Sequence, residues 1–227
     1  ADFDLTDDQR QVRSSIREFA EQEILTYVEE HENEGRYPST LIQKLVPLGY
    51  LAPLLPSTYG GSSCDVVTYG LICEELARVD WVVASVVSVT NSLVAGSILR
   101  FGSDSQKSHL LPPICDGSVL TSACLTEPSG GTDLANLRTR AEQVSKGWRL
   151  NGSKVFISHA AHAGLLLVAA TVDPSKRHKG VTVFLVDPHS KGVEITDYPM
   201  RTLQRDNLAA IHFDDVLLPD EALLGPV

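Results

Sequence analysis

The feature that most constrains the fold is a change of texture near Gly117. Before it, apolar residues recur at helical spacing. After it, apolar runs of four to eight residues alternate with turn signals. A 3.6-residue period and a short-run pattern cannot belong to one regular architecture. The chain is therefore expected to be α+β, with an N-terminal all-α helical domain over 1–117 and a small antiparallel β sandwich or barrel over 118–227. Its 227 residues are enough for two modest cores.

In the first half, Thr6 with Gln9 three residues on fits a capping box, followed by Val12, Ile16, Phe19, Ala20 and Ile24. A second helix is expected from about Pro38 to Leu48, with Gly49 as its stop and Pro47 kinking it or closing it early. Residues 53–63, rich in Pro, Gly and Ser, read as a loop. The apolar stretch Val66 to Phe101 reads as two buried helices broken near Asp80, although the β-branched run Val82 to Val89 also suits a strand. A last short helix is expected from Ser105 to Cys115.

In the second half the candidate strands are Val119–Leu125, Trp148–Leu150, Val155–Ile157, Leu165–Val172, Val181–Val186, Val193–Ile195 and Leu208–Phe213. Asn151-Gly152 and Lys191-Gly192 read as turn dipeptides between strands.

Composition excludes several classes. Acidic residues outnumber basic ones 29 to 19, for a net charge of −10. Such a chain carries the same sign as nucleic acid and anionic membrane and is a poor general partner for either. No apolar run reaches the length of a membrane span, and the acidic N-terminus does not resemble a signal peptide. The sequence starts at Ala1 without an initiator Met, which fits processing or trimming. Cys64, Cys73, Cys115 and Cys124 form no C-x-x-C pair and read as reduced, mostly buried thiols. The expected location is cytoplasmic, or the mitochondrial matrix in a eukaryotic cell.

The segment with chemical potential runs from Leu120 to Asp133. It is not a G-x-G-x-x-G fingerprint, and no strand–glycine–helix unit surrounds it, so a dinucleotide fold is not indicated. It reads instead as a strand ending in a tight Pro/Gly loop with hydroxyls at Thr126 and Thr132. Backbone N–H groups and hydroxyls converging there could hold a polar ring edge or a pyrophosphate. On spacing alone, a hairpin loop with Ser/Thr capping suits the same residues.

The motifs add to this. The pattern A-C-L-T-E-P-S-G-G-T-D (123–133), then R-T-R-A (138–141), then L-N-G-S-K-V-F-I-S (150–158), resembles the T-E-P-x-x-G-S-D and N-G-x-K-x-W-I-T-N motifs of the acyl-CoA dehydrogenase family. Flanking features follow in the family's order: Leu5–Arg10 at the opening helix, Pro56–Gly61 at a P-E-x-Y-G-G loop, Phe101–Lys107 at a helix start, then Lys179–Val181 and Phe213–Pro219 at later strands. The likeness covers nearly the whole chain.

The resemblance implies FAD as cofactor. Ala123, Leu125 and Thr126 would line the flavin ring, with a backbone N–H around Leu125 and the Thr126 hydroxyl on its polar edge. Donors there would stabilise the charge that the flavin gains on accepting hydride. Gly131 would allow close backbone approach. Thr132, in place of the family's Ser, would touch both the FAD pyrophosphate region and the thioester substrate. Phe156, in place of Trp, would stand against the flavin with Ile157 beside it. Ser158, in place of Thr, would lie near flavin N5. His159 replaces the usual Asn. Glu127 tempts as a base, but in the family that Glu belongs to the loop, so no catalytic residue is assigned.

The implied reaction is α,β-dehydrogenation of an acyl-CoA thioester, with an electron-transfer flavoprotein as acceptor. In the family the α-proton base, the adenine-end contacts and the tetramer contacts lie in a C-terminal helical domain. Leu224–Val227 stand where that domain would begin. The chain is thus expected to be a fragment or a split subunit that needs its missing C-terminal domain or a companion subunit, and to hold FAD poorly alone. Alternatives are a relative acting as an acyl-CoA oxidase or flavin-dependent monooxygenase, or a non-catalytic subunit of a heteromer.

Other candidates have bland readings too. His159 and His162 have metal-ligand types but no carboxylate or Cys partner, and a structural role suits them better. Residues 175–179 suit a solvated turn more than a phosphate site, and Trp81 and Trp148 suit packing. Asn91 and Ser92 suit either an acyl-cavity border or buried polar capping.

Overall fold

The computed structural model describes residues 4–198, 205 and 208–225. Among the described residues seven α-helices come first: α1 (Asp7–Phe19), α2 (Leu25–His31), α3 (Ser39–Leu45), α4 (Val66–Val79), α5 (Trp81–Ser88), α6 (Gly96–Phe101) and α7 (Asp104–Cys115). A π-turn (Ala20–Ile24) joins α1 to α2, and a π-segment (Val89–Ala95) joins α5 to α6. Eight strands follow: β1 (Thr121–Cys124), β2 (Arg140–Val144), β3 (Gly147–Ser158), β4 (Leu165–Thr171), β5 (Val181–Val186), β6 (Val193–Tyr198), β7 (Leu208–Leu218) and β8 (Leu223–Leu224).

The capping box at Thr6 and Gln9 opens α1 as expected. The second expected helix is shorter than its pattern. It ends at Leu45: Pro47 has no N–H to continue the ladder to Gln43 C=O, which accepts instead from Val46 N–H in a tighter last turn. Asp80 makes the break in the long apolar stretch, capping α5 by accepting from Val82 N–H. The run Val82–Val87 is helical, with every side chain buried in the helical core. Burial on all faces overrides the β preference of branched residues.

The 21 residues Trp81–Phe101 are long and apolar enough to span a bilayer by composition. Most of that stretch is buried within the protein, which is how a core helix of a folded domain passes the same test.

The strands form one connected sheet, in the order β6-β7-β3-β2-β4-β5-β8, with β1 also paired to β4. Most pairs are antiparallel, but β1 lies parallel to β4 over Thr121–Cys124. β2 meets the same strand once, at Arg140 and Thr171. Because β1 and β2 both pair with β4, the chain between them leaves the sheet as a loop and returns.

The Asn151-Gly152 turn expected from sequence is not a turn. Both residues lie inside the 12-residue β3, at a register shift against β7 between Leu150 and Gly152. A glycine fits there because a Cβ at Gly152 would lie 2.6 Å from Thr139 Cα and Oγ1. Lys191-Gly192 does turn, between β5 and β6.

Three cores result. One lies among the helices, one within the sheet, and a third joins the two halves. The joining core places Leu55, Val94, Ile98 and Ile114 against Leu165, Leu167 and Leu185, with Ala123 and Leu125 at its edge.

Candidate functional site

The loop between β1 and β2 is built on β1, whose side chains alternate. Cys124 enters the sheet core, while Ala123 and Leu125, both half-buried, face the joining core. Past Leu125 the chain closes a tight turn: Glu127 and Gly130 exchange both backbone hydrogen bonds at 3.0 Å. The loop then folds over Thr126. A Cβ on Gly131 would sit 3.2 Å from Thr126 Cγ2, so glycine gives the turn its clearance. Thr132 is exposed on the same loop.

The second half of β3 runs beside this loop. Val155 N–H donates to Thr126 C=O at 3.0 Å, and the Ser122 hydroxyl donates to Ser158 C=O. A second register shift lies between Lys154 and Ile157. It puts Phe156 at φ 58°, a left-handed conformation that an aromatic residue rarely adopts. The Phe156 side chain is 65% exposed, with Tyr198 tilted 6.0 Å away. Ile157 is 2% exposed and packs into the sheet core, so only its main chain can face the loop. Ser158 is half-buried.

Strain that turns a large apolar ring towards solvent stabilises nothing in the free chain. Strain of this kind clusters at ligand-binding surfaces. The hydroxyls of Thr126, Thr132 and Ser158 make no hydrogen bond to another described residue. An open aromatic wall, close backbone and unused hydroxyls fit a flat, polar-edged ring. This is an open cradle: the cavity of about 300 Å³ beside it is lined by Glu127, Pro128, Ser129, Arg138, Thr139, Gly152 and Ser153, not by these groups.

Behind the cradle lies a charge that sequence reasoning missed. The Lys154 side chain is fully buried, its ammonium 2.8 Å from Glu127 Oε1 and 3.1 Å from Leu125 C=O. Glu127 also accepts from the backbone N–H of Arg138 (2.6 Å) and Thr139 (2.9 Å). Burial pushes its carboxyl up, but these donors outweigh burial and hold it below the usual carboxylate range. Burial likewise lowers the Lys154 ammonium, against the pull of Glu127. Glu127 is thus an ionised anchor for the loop. The available signals were Glu127 three residues before Gly130 and Lys154 within Asn151–Ser158, but neither marks burial.

His159, 1% exposed and at φ 64°, ties the end of β3 to the helices. Its Nε2 lies 3.0 Å from the Ser85 hydroxyl on α5 and its Nδ1 3.2 Å from the Tyr37 hydroxyl. Burial, then His162, pushes it down to about 4, so it is neutral near pH 7. His162 stacks on Tyr37 at 3.8 Å. Both histidines are engaged in packing, and no group of three or more His, Cys, Asp or Glu side chains suited to a metal occurs among the described residues.

The remaining candidates have structural roles. Asn91 donates to Leu51 C=O and Val87 C=O and accepts from Leu54 N–H, pinning the π-segment to the loop after α3. Trp148 packs edge-on against Phe184. Trp81 is half exposed, and residues 175–179 lie on an exposed turn.

Residues 6–118 match the model of the acyl-CoA dehydrogenase N-terminal domain, and residues 122–216 that of the acyl-CoA dehydrogenase middle domain. A short-chain specific acyl-CoA dehydrogenase of Megasphaera elsdenii is 35% identical over 99% of this chain and 60% of its own length. The butyryl-CoA dehydrogenase structure from the same organism superposes with a TM-score of 0.92 at 35% identity, over 100% of this chain and 60% of that one. A glutaryl-CoA dehydrogenase of Mycobacterium smegmatis in complex with FADH2 gives 0.91 at 32% identity, over 98% and 56%. The chain therefore spans about 60% of the length of such relatives. With two successive domain models matched over most of its residues, the chain belongs to the acyl-CoA dehydrogenase family.

Proposed function

We propose that this chain is the flavin-holding front portion of an FAD-dependent acyl-CoA dehydrogenase, an oxidoreductase that introduces an α,β double bond into an acyl-CoA thioester. The observation that carries the reading is Phe156, held in a left-handed conformation and facing solvent beside the unused hydroxyls of Thr126 and Ser158. Residues 1–117 serve as the helical domain and 118–227 as the flavin-cradling β domain.

On this reading each cradle residue has a role. Phe156 forms a wall for the flavin ring, and Ala123 and Leu125 floor the cradle at the joining core. The Thr126 hydroxyl and the backbone around Leu125 hold the ring's polar edge. Gly131 admits the backbone closely, Thr132 reaches the pyrophosphate region and the thioester, the Ile157 main chain lies along the ring, and Ser158 sits near its reactive centre. Bound FAD supplies the hydride acceptor for the substrate β-carbon. The chain's donors stabilise negative charge on the polar edge and, with the cradle closed by a partner segment, exclude water.

The α-proton base is proposed to come from outside these residues. Glu127, the carboxylate nearest the cradle loop, is committed to Lys154 and two backbone N–H groups. A general base needs a free oxygen within reach of the proton it takes. The partners of this reading are an acyl-CoA thioester, an electron-transfer flavoprotein, a helical C-terminal portion and further copies in an oligomer serving fatty acid metabolism.

The test is anaerobic addition of straight and branched short- and medium-chain acyl-CoA thioesters to the FAD-loaded full-length protein. Bleaching of the flavin absorbance, with a 2-enoyl-CoA product by mass spectrometry, is expected for at least one. A flavin-loaded protein bleached by none of them contradicts the reading.

A further inference from the structure

The Lys154–Glu127 pair is a buried charge pair for which the reading above has no chemical use. A lysine with no exposed surface is rare, because taking its charge out of water costs several kcal/mol unless good partners offset it. Here the ammonium has two: the Glu127 carboxylate at 2.8 Å and the Leu125 carbonyl at 3.1 Å. The second contact is the informative one. Leu125 C=O and Thr126 N–H belong to one peptide unit, and no described peptide bond is cis. In a planar trans peptide the C=O and N–H point in opposite directions. With the carbonyl turned inward to the ammonium, the Thr126 N–H is turned away from it, towards the side on which the cradle opens.

A hydrogen bond from a cation polarises the peptide it binds and strengthens that peptide's own donor, more so where water is absent. The Thr126 C=O is already used by Val155 N–H, which fixes the orientation of the next peptide as well. Glu127, two residues after Leu125, is bound to the same ammonium and to the backbone across the loop at Arg138 and Thr139. The arrangement thus aims one donor and adjusts its strength, with the carboxylate limiting the net charge to near zero.

We propose that Lys154 is a positioning residue that acts through the Leu125–Thr126 peptide to raise the electron affinity of a flavin bound in the cradle, and that Glu127 sets how far it does so. This rests on the flavin reading given above. The two residues then have opposite effects on the reduction potential, although they form one ion pair. A staple that only held the loop would give both substitutions the same sign, through the same loosened geometry.

The experiment uses the full-length FAD-loaded protein and compares Lys154→Met, Glu127→Gln and the double variant. The readout is the two-electron midpoint potential, with bound FAD per chain measured alongside. Lys154→Met is expected to weaken binding of reduced relative to oxidised flavin about tenfold, a fall of about 30 mV. Glu127→Gln is expected to raise the potential by a similar amount, and the double variant to return close to the parent. Shifts of the same sign, or none, in variants that retain FAD overturn the proposal. If Lys154→Met does not fold, the nearly isosteric Glu127→Gln carries the test alone: a rise supports the proposal, and no change or a fall overturns it. Failure of both to fold makes the pair a staple of the fold and overturns it too. A parent protein that takes up no FAD sinks the flavin reading itself, which is a different result from unmoved potentials in a flavin-loaded one.

Discussion

Among the described residues three carboxylates, Glu75, Asp80 and Glu127, are almost completely buried in ion pairs, and Glu75 and Glu127 are held in different ways. Glu75 on α4 meets Arg13 and Arg17 of α1 and Arg78 of its own helix, at 2.6–3.1 Å. Those arginines remain 37–45% exposed. Glu127 meets one lysine with no exposed surface, and its other oxygen goes to the backbone. The first arrangement staples two helices while keeping its cations solvated, as long basic side chains do readily. The second takes both charges out of water beside an open cradle. Asp80 and Arg205 form a second buried pair away from the cradle, so it is the contact of Lys154 with the Leu125 carbonyl, not burial alone, that ties the Glu127 pair to the site.

The largest expected effect follows from that contrast. Lys154→Met strands a buried carboxylate and should lower the unfolding free energy by about 3–5 kcal/mol. Removing any one arginine around Glu75 should cost much less, because two remain and the carboxylate keeps partners. Urea unfolding of the apoprotein measures both. Equal losses would break the comparison.

His159 sharpens it from the cradle side, where a buried titratable group is kept neutral. Its pKa is pushed from 6.5 down to about 4. The unfolded chain therefore binds a proton first as pH falls. Stability is complete above about pH 6.5 and declines towards pH 4, by roughly 3 kcal/mol. His159→Asn should flatten this window in a pH series of thermal melts. An unchanged slope would show that His159 is more hydrated than its 1% exposure implies.

Glu75 gives a smaller effect in a lower window. Hydrogen bonds from Arg17 chiefly, against the opposing cost of burial, hold it at about 2 instead of 4.5. A lowered carboxyl contributes fully above about pH 4.5, and the contribution is lost as pH falls towards 2. Discounted for the solvation of its arginines, it amounts to about 2 kcal/mol. Glu75→Gln should show a deficit of that size at pH 7 that closes below pH 3 in equilibrium unfolding.

The smallest effect has the opposite sign. Phe156→Gly relieves the left-handed strain and loses little packing, since the ring is mostly exposed. It should stabilise the apoprotein by about 1 kcal/mol and weaken FAD binding. Destabilisation would mean the ring packs on the chain itself.

The sequence showed the helical half and the passage from strand to tight loop after Leu125 well, because periodicity and turn chemistry are local. Thr6 with Gln9, the break at Asp80 and the strand into Leu125 all rest on neighbours along the chain. What it hid depends on register. Bulges at Leu150/Gly152 and Lys154/Ile157 interrupt the alternation of β3. Asn151-Gly152 therefore passed for a turn, and one long strand for two short ones. The same shift buries Lys154 and Val155 in succession and turns Phe156 outward. No strict two-residue period could have placed a lysine inside. The joining core and the His159 contacts with Ser85 and Tyr37 span 74 and 122 residues of sequence, a pairing no local pattern reveals.

The most direct test of the cradle is an FAD titration of the full-length apoprotein, parent against a Thr126→Val, Ser158→Ala double variant. Neither hydroxyl bonds to another described residue, so melting temperatures should agree within a degree or two. Losing two neutral hydrogen bonds to a ligand should weaken FAD binding at least about tenfold. Unchanged affinity in the double variant would contradict the account, since the surface formed by Thr126, Phe156 and Ser158 would then not be where the flavin sits.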